Sequence, residues 1–163
     1  MIKQHKLADK SVIILLAPGF AETATAHYIS YMRENKVPVS LVGLSAQQVS
    51  GTHGLSFHPD CSLNQLPCQK NHLLVLMLGG YAYLASLMAD PRVHQLLDDA
   101  MERNAIVAAN ETAATVIPYT NAKFLLKRQN FITQKNMSQD EFAQYLVQLV
   151  QKEPLLLQLQ SCA

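Results

Sequence analysis

Continuous apolar runs alternate along this chain with segments whose apolar positions recur every three to four residues. Ser11 to Ala17 (SVIILLA) is apolar on both alternating faces and ends at Pro18-Gly19. That is the pattern of a strand covered on both sides, as in a parallel sheet. From Glu22 to Asn35 the period becomes helical, with Ala24, His27/Tyr28 and Tyr31/Met32 on one face. Val37 to Leu44 reads as a second strand, with Pro38 near its start. The three together predict a βαβ unit with a right-handed crossover. Gln48 to Phe57 (QVSGTHGLSF) reads as a short hairpin, turned by Gly51 and Gly54 and anchored by Val49, Leu55 and Phe57.

After a polar loop from Asn64 to Asn71, His72 to Leu78 (HLLVLML) is a third core strand, closed by Gly79-Gly80. Tyr81 to Met88 and Pro91 to Arg103 are helical, with Pro91 suited to a first turn. Ala105 to Ala109 is a fourth core strand, and Thr112 to Ile117 a short helix. Lys123 to Leu126 and Asn130 to Thr133 read as two short strands. Ser138 to Gln151 is a helix that opens on a capping-box pattern, Ser138-Gln139-Asp140-Glu141. Its apolar stripe is Phe142, Tyr145/Leu146 and Leu149/Val150. Alternating strands and helices without repeat or linker predict a single domain, an α/β three-layer α/β/α sandwich with a doubly wound, mostly parallel sheet. Ligands in such sheets bind beyond the carboxyl ends of the strands. The loops Pro18 to Glu22, Gly79 to Tyr81 and Asn110 to Thr112 therefore carry the candidate chemistry.

Composition narrows the function. Of 163 residues, 49% are hydrophobic and 15% charged, enough for one domain with a substantial core. A formal net charge of +1 gives no footprint for nucleic acid and no polybasic membrane anchor. No apolar run approaches a membrane span, and Met1 to Lys10 has no signal-peptide character. Three cysteines, Cys61, Cys68 and Cys162, cannot all pair, which points to a reducing, cytoplasmic setting. Cys61 and Cys68 match no common zinc spacing, and no phosphate-binding glycine motif occurs. No metal and no cofactor are expected. The tail Pro154 to Ala163 (PLLLQLQSCA) is apolar for a terminus and either packs on its own domain or contacts a partner.

The order of motifs resembles the DJ-1/PfpI family (ThiJ/PfpI, class I glutamine amidotransferase-like). The anchors are Leu16-Ala17-x-Gly19 with Glu22 and Thr25, Met32-Arg33, Val42-Gly43-Leu44 and Pro59-Asp60-x-Ser62-Leu63. They continue through Leu78-Gly79-Gly80, the Val93-to-Leu97 helix, Ile106-Val107-Ala108-Ala109 and Phe131-Ile132-Thr133. The resemblance implies a flavodoxin-like fold and a homodimer. It also implies a strand-to-helix elbow with cysteine in the pattern A-x-C-x-G, a glutamate from the first loop touching that thiol, an anion pocket of backbone N–H groups, and often a histidine after the elbow helix. Here the elbow position is Asn110, followed by Glu111 and Thr112. The glutamate position, counted without gaps from Gly19, is Ala24, and Glu22 aligns with a neighbouring acid. No histidine occurs beyond His94, and the segment that should carry one is mostly absent. The resemblance is to a shortened, catalytically degenerate member.

A carboxamide is not a covalent nucleophile, and no cysteine stands in for the missing thiol. Asn110 suits an elbow because Asn tolerates unusual φ/ψ, so it either keeps the turn or offers its amide to a ligand. Glu22 and Glu111 either approach one another, sharing a proton or binding a metal or amine, or accept from N–H groups at helix starts. His53, His58, Asp60 and Cys61 form either a soft cluster or surface hairpin residues, and His27 is a half-buried helix histidine. The remnant pocket is Glu22, Gly79, Gly80, Asn110, Glu111 and Thr112. Two functions remain. One is a pseudoenzyme that binds a small molecule or a protein partner. The other is an enzyme with Glu22 or Glu111 as general acid/base and Asn110 as orienter.

Overall fold

The computed structural model describes residues 10–66 and 71–161. In chain order its elements are β1 (Lys10–Leu16), α1 (Glu22–Glu34), β2 (Val39–Gly43), β3 (Val49–Ser50), β4 (Ser56–Phe57), β5 (Cys61–Ser62), β6 (Asn71–Met77), α2 (Tyr81–Met88), α3 (Pro91–Glu102), β7 (Ile106–Ala109), α4 (Glu111–Val116), β8 (Phe131–Thr133) and α5 (Gln139–Ser161). Six strands form one sheet in the order β5-β2-β1-β6-β7-β8, with every neighbouring pair parallel. The uninterrupted apolar runs take the middle of it. Val12 to Leu16 and Leu74 to Leu78 are buried to 1% exposure or less, because helices cover both faces. α1 packs on α5, with Tyr28 meeting the Phe142 ring edge-on, while α2 packs on α3 and α4. Right-handed crossovers set these groups on opposite faces, which gives the expected three-layer α/β/α sandwich.

Local chemistry sets the helix starts. Asp90 caps α3 by accepting from Arg92 N, with Pro91 in the first turn. Ser138 and Glu141 close the expected capping box on α5: Ser138 Oγ accepts from Glu141 N at 3.1 Å, and Glu141 Oε2 from Ser138 N at 2.7 Å.

Four sequence expectations need correction. Lys123 to Leu126 is not a strand but the greater part of a 3-10 turn over Lys123–Lys127. Thr120 Oγ1 accepts from Ala122 N and starts the turn, and within it Leu125 is buried while Lys123, Leu126 and Lys127 face solvent. Of Asn130 to Thr133, only Phe131–Thr133 pairs, with β7, and so completes the sheet edge. Cys61 is not a hairpin residue; with Ser62 it pairs parallel to Val42 and Gly43 as the opposite edge. α5 runs past Gln151 to Ser161. The packing of the tail from residue 153 onward, and the readings of Cys68 and Cys162, lie outside the described residues. Among the described residues no helix is long and apolar enough to cross a membrane.

The chain leaves β1 toward β2 but leaves β6 toward β7 on the other side. Between β1 and β6 the winding reverses, and the two loops beyond them meet. Ala21 N donates to Leu78 O at 3.0 Å, and Phe20 bridges to Gly79. This is the switch point at which such sheets bind ligands.

Candidate functional site

Glu22 opens α1 and is 3% exposed. The β3–β4 hairpin covers it, and the close approach depends on Gly51: a Cβ there would fall 2.4 Å from Glu22 Cγ and Cδ. Gly19 N donates to Ser50 O and Thr52 N to Phe20 O, both at 3.0 Å, which fastens the hairpin across the first loop. The Thr52 hydroxyl adds a bond to Gly19 O at 2.9 Å. Glu22 Oε1 accepts from the His53 backbone N–H, and Oε2 lies 3.2 Å from His53 Nδ1. Burial alone would raise this carboxyl's pKa. The backbone N–H groups of Glu22, His53 and Leu55, with the His53 ring, outweigh it and hold the carboxyl below its ordinary value. Glu22 is therefore ionised near neutral pH and is poorly suited to donate a proton.

Asn110 ends β7 and caps α4. Its backbone, at φ −68° and ψ 173°, is ordinary extended chain, so the expected elbow strain is absent. What suits Asn to this position is capping: Oδ1 accepts from Ala113 N at 3.1 Å in a residue 6% exposed. The next N–H, that of Glu111, donates to Gln134 Oε1 at 3.3 Å. Gln134 is placed by the buried Tyr28 hydroxyl at 3.4 Å and by its own Nε2 bond to Met137 O. The carboxylates of Glu22 and Glu111 are not joined by a hydrogen bond. Glu22 turns to the hairpin, and Glu111 stays exposed.

The Gly-Gly loop divides its labour. Gly79 lies flat on Tyr83, where a Cβ would come within 2.5 Å of the ring Cγ. Burial pushes the Tyr83 phenol far above its ordinary pKa, so its hydroxyl is a neutral donor to Leu15 O at 2.7 Å. Gly80 borders open space, with only Thr112 Cγ2 at 3.7 Å from a Cβ built there.

These loops enclose a cleft of about 400 Å³. Glu22, Gly80, Asn110, Glu111 and Thr112 line it, whereas Gly79, expected in the pocket, does not, because it packs on Tyr83. Sequence reasoning missed His53, Gln134 and Gln139 as lining residues. His53 was read as part of a soft cluster or as a hairpin surface residue; its side chain is 83% exposed, yet it reaches a carboxylate 31 positions away. No local pattern marks that contact or the one from Gln134 to Glu111. The four residues of the soft cluster part company: His53 turns to Glu22, and Asp60 accepts from Leu41 N at 2.8 Å. Among the described residues no group of three His, Cys, Asp or Glu is placed to hold a metal. His27 lies 3.0 Å from Asp140 Oδ1, off the axis of an aligned hydrogen bond. A second cavity of about 330 Å³ runs along α3, where Arg92 is already engaged by Asp90, Asn64 and Leu44 O.

The model of the DJ-1/PfpI family matches residues 10–145. The chain belongs to the DJ-1/PfpI family. A Parkinson disease protein 7 homolog of Danio rerio is 29% identical over 104 residues, which cover 63% of this chain and 55% of that protein. The chain thus matches about half the length of this curated relative. Drosophila melanogaster DJ-1beta superposes with a TM-score of 0.69 at 21% identity, covering 90% of this chain and 97% of that one. A ThiJ/PfpI domain protein of Brachyspira murdochii gives the same TM-score, 0.69, at 14% identity and coverages of 88% and 97%. These likenesses carry the fold. Asn110 and Ala24, which the resemblance sets at the elbow and at the first-loop glutamate position, both line the cleft, Ala24 as a methyl group.

Proposed function

We propose that this DJ-1/PfpI member is a binding protein that works without the family's cysteine chemistry. One observation carries the reading: two backbone donors at the elbow are already taken by the chain's own side chains. Glu111 N–H ends on Gln134 and Ala113 N–H on Asn110. An oxyanion site needs such donors free and aimed at the developing charge. Asn110 adds no nucleophile, and Glu22, held ionised by three backbone N–H groups, is a weak base and no acid near neutral pH. The resemblance carries a homodimer with it, and the cysteine usage a cytoplasmic setting; light scattering on the purified chain tests the first. The function itself is tested with aldehyde, peptide and ester substrates. We expect no turnover above buffer; turnover that Asn110→Ala abolishes would overturn the reading.

A further inference from the structure

Between Glu111 and Asp140 the chain has no aspartate or glutamate, yet it holds four basic residues, Lys123, Lys127, Arg128 and Lys135. The formal net charge of +1 therefore hides a segregation: outside this tract acids outnumber bases. Arg128 is engaged, with Nη2 3.1 Å from Asp98 Oδ1 on α3. Lys123, Lys127 and Lys135 are exposed and make no ion pair among the described residues. The backbone that carries them is well anchored. Two 3-10 turns, Ile117–Tyr119 and Lys123–Lys127, pack on each other, with Ile117, Ala122 and Leu125 fully buried. The Phe124 ring stacks on His94 of α3 at 5.5 Å, and Asn130 Nδ2 donates to Met101 O. β8 packs on the second turn, and Lys135 follows it. On this base Tyr119 is 79% exposed, the most exposed large hydrophobic side chain among the described residues, and Leu126 is 52% exposed. A single exposed apolar side chain needs no explanation, but these two stand on adjoining turns among unpaired lysines. An apolar centre with a charged rim is the anatomy of a protein interface.

We infer that this surface docks an acidic segment of a partner protein, with carboxylates against Lys123, Lys127 and Lys135 and an apolar side chain over Tyr119 and Leu126. Charge complementarity selects that occupant. Binding to nucleic acid at physiological salt takes more phosphate contacts than these lysines supply, and recruitment to an anionic membrane takes clusters of about four to eight basic residues. α3, which meets the tract at Asp98 and Met101, also carries Asp99 and Glu102. A continuous polyanion laid across both would be repelled there, whereas a short acidic segment avoids that helix. The surface is separate from the cleft, since none of its residues lines it. The inference therefore goes beyond the function proposed above, and turnover in the substrate assays would leave it standing.

The test is fluorescence anisotropy of the full chain with a labelled peptide of glutamates around a single leucine, at low and at physiological salt. The same peptide with glutamine for glutamate, a single-stranded oligonucleotide and vesicles containing phosphatidylserine are titrated beside it. The glutamate peptide should bind, less tightly as salt rises, with the glutamine peptide about tenfold weaker at low salt. Lys123→Glu combined with Lys127→Glu should weaken the glutamate peptide about tenfold or more, and Tyr119→Ala should weaken it without changing the salt dependence. Lys152→Glu, the same charge change on α5, should leave the affinity unchanged. All four side chains are exposed, so the variants should keep the wild-type Tm. Equal binding of the two peptides overturns the inference, as does tighter binding of the oligonucleotide or the vesicles. So does an undiminished affinity in the double variant or in Tyr119→Ala, an equal loss in Lys152→Glu, or no peptide binding at millimolar concentrations.

Discussion

Gly79→Ala tests how the Gly-Gly loop packs on Tyr83, and its neighbour supplies the control. A Cβ on Gly79 would stand 2.5 Å from Tyr83 Cγ, 2.6 Å from Cδ1 and 2.7 Å from Cβ. Comfortable carbon contacts begin near 3.5 Å, so about 1 Å of space has to open. Tyr83 cannot yield cheaply. It is fully buried, and its hydroxyl donates to Leu15 O at 2.7 Å and accepts from Leu78 N at 3.3 Å. Forcing a methyl into such packing costs about 1–3 kcal/mol. Gly79 has no positive φ, so alanine adopts its backbone and recovers roughly 0.4–1 kcal/mol by restricting the unfolded chain. At the middle of both ranges the net loss is about 1.3 kcal/mol, a fall in Tm of roughly 3–5 °C for a chain of 163 residues. Gly80→Ala meets only Thr112 Cγ2 at 3.7 Å, so it should leave Tm unchanged or raise it slightly. Thermal unfolding followed by circular dichroism at matched concentration reads both. Equal shifts in the two variants, or an unchanged Tm in Gly79→Ala, would refute the steric argument.

Further variants test the other supports. Glu22→Gln should show a pH-dependent stability deficit. The folded carboxyl's pKa lies below the unfolded one, so its contribution is present above the unfolded value and lost as pH falls through the folded value. The Tm gap between wild type and variant should thus be widest near neutral pH and close in acid; a gap independent of pH would count against it. Asn110→Ala removes the α4 cap and should cost about 1 kcal/mol, read as a lower denaturant midpoint with unchanged slope, whereas Asn110→Ser should be nearly neutral. Gly51→Ala should drive Glu22 from beneath the hairpin, and the His53 backbone amide should lose its hydrogen-exchange protection; full protection would argue against the close approach. Asn110→Cys should fail to create turnover while Gln134 still occupies the Glu111 N–H.

What the sequence revealed followed from how local the cause was. β1, β6 and β7 were legible because strands covered on both faces must be apolar throughout, and the loops beyond them were legible because the winding reverses there. β5 and β8, two and three residues long, depend on a neighbouring strand rather than on their own periodicity. The turn over Lys123–Lys127 was misread because one buried leucine among apolar neighbours fits a strand as well as a 3-10 turn. At the site, Asn110 was identified but for the wrong reason, since strain was expected where a cap is found. His53 and Gln134 escaped notice because a polar side chain that reaches a distant loop leaves no mark on its own segment.

Helix starts at the carboxyl edge of a parallel sheet present N–H groups that need acceptors. Four helices begin around this cleft, and the chain treats them differently. At α1, Glu22 accepts from its own N–H and from the hairpin. At α4, Asn110 and Gln134 accept from Ala113 and Glu111. Both starts are met by oxygens of the same chain, and one of these, Gln134 Oε1, is brought in by the fold from a distant loop. α5 is capped by Ser138 and Glu141, whereas α2 begins at Gly80 without a capping side chain. The exposed carboxylate of Glu111 disfavours negative charge in the cleft, and Gln134 withholds the Glu111 N–H from it. Replacing Gln134 by Ala would free that donor, and sulfate binding, read by calorimetric titration, should then rise. An unchanged sulfate affinity would mean that the Gln134 contact is not what excludes anions.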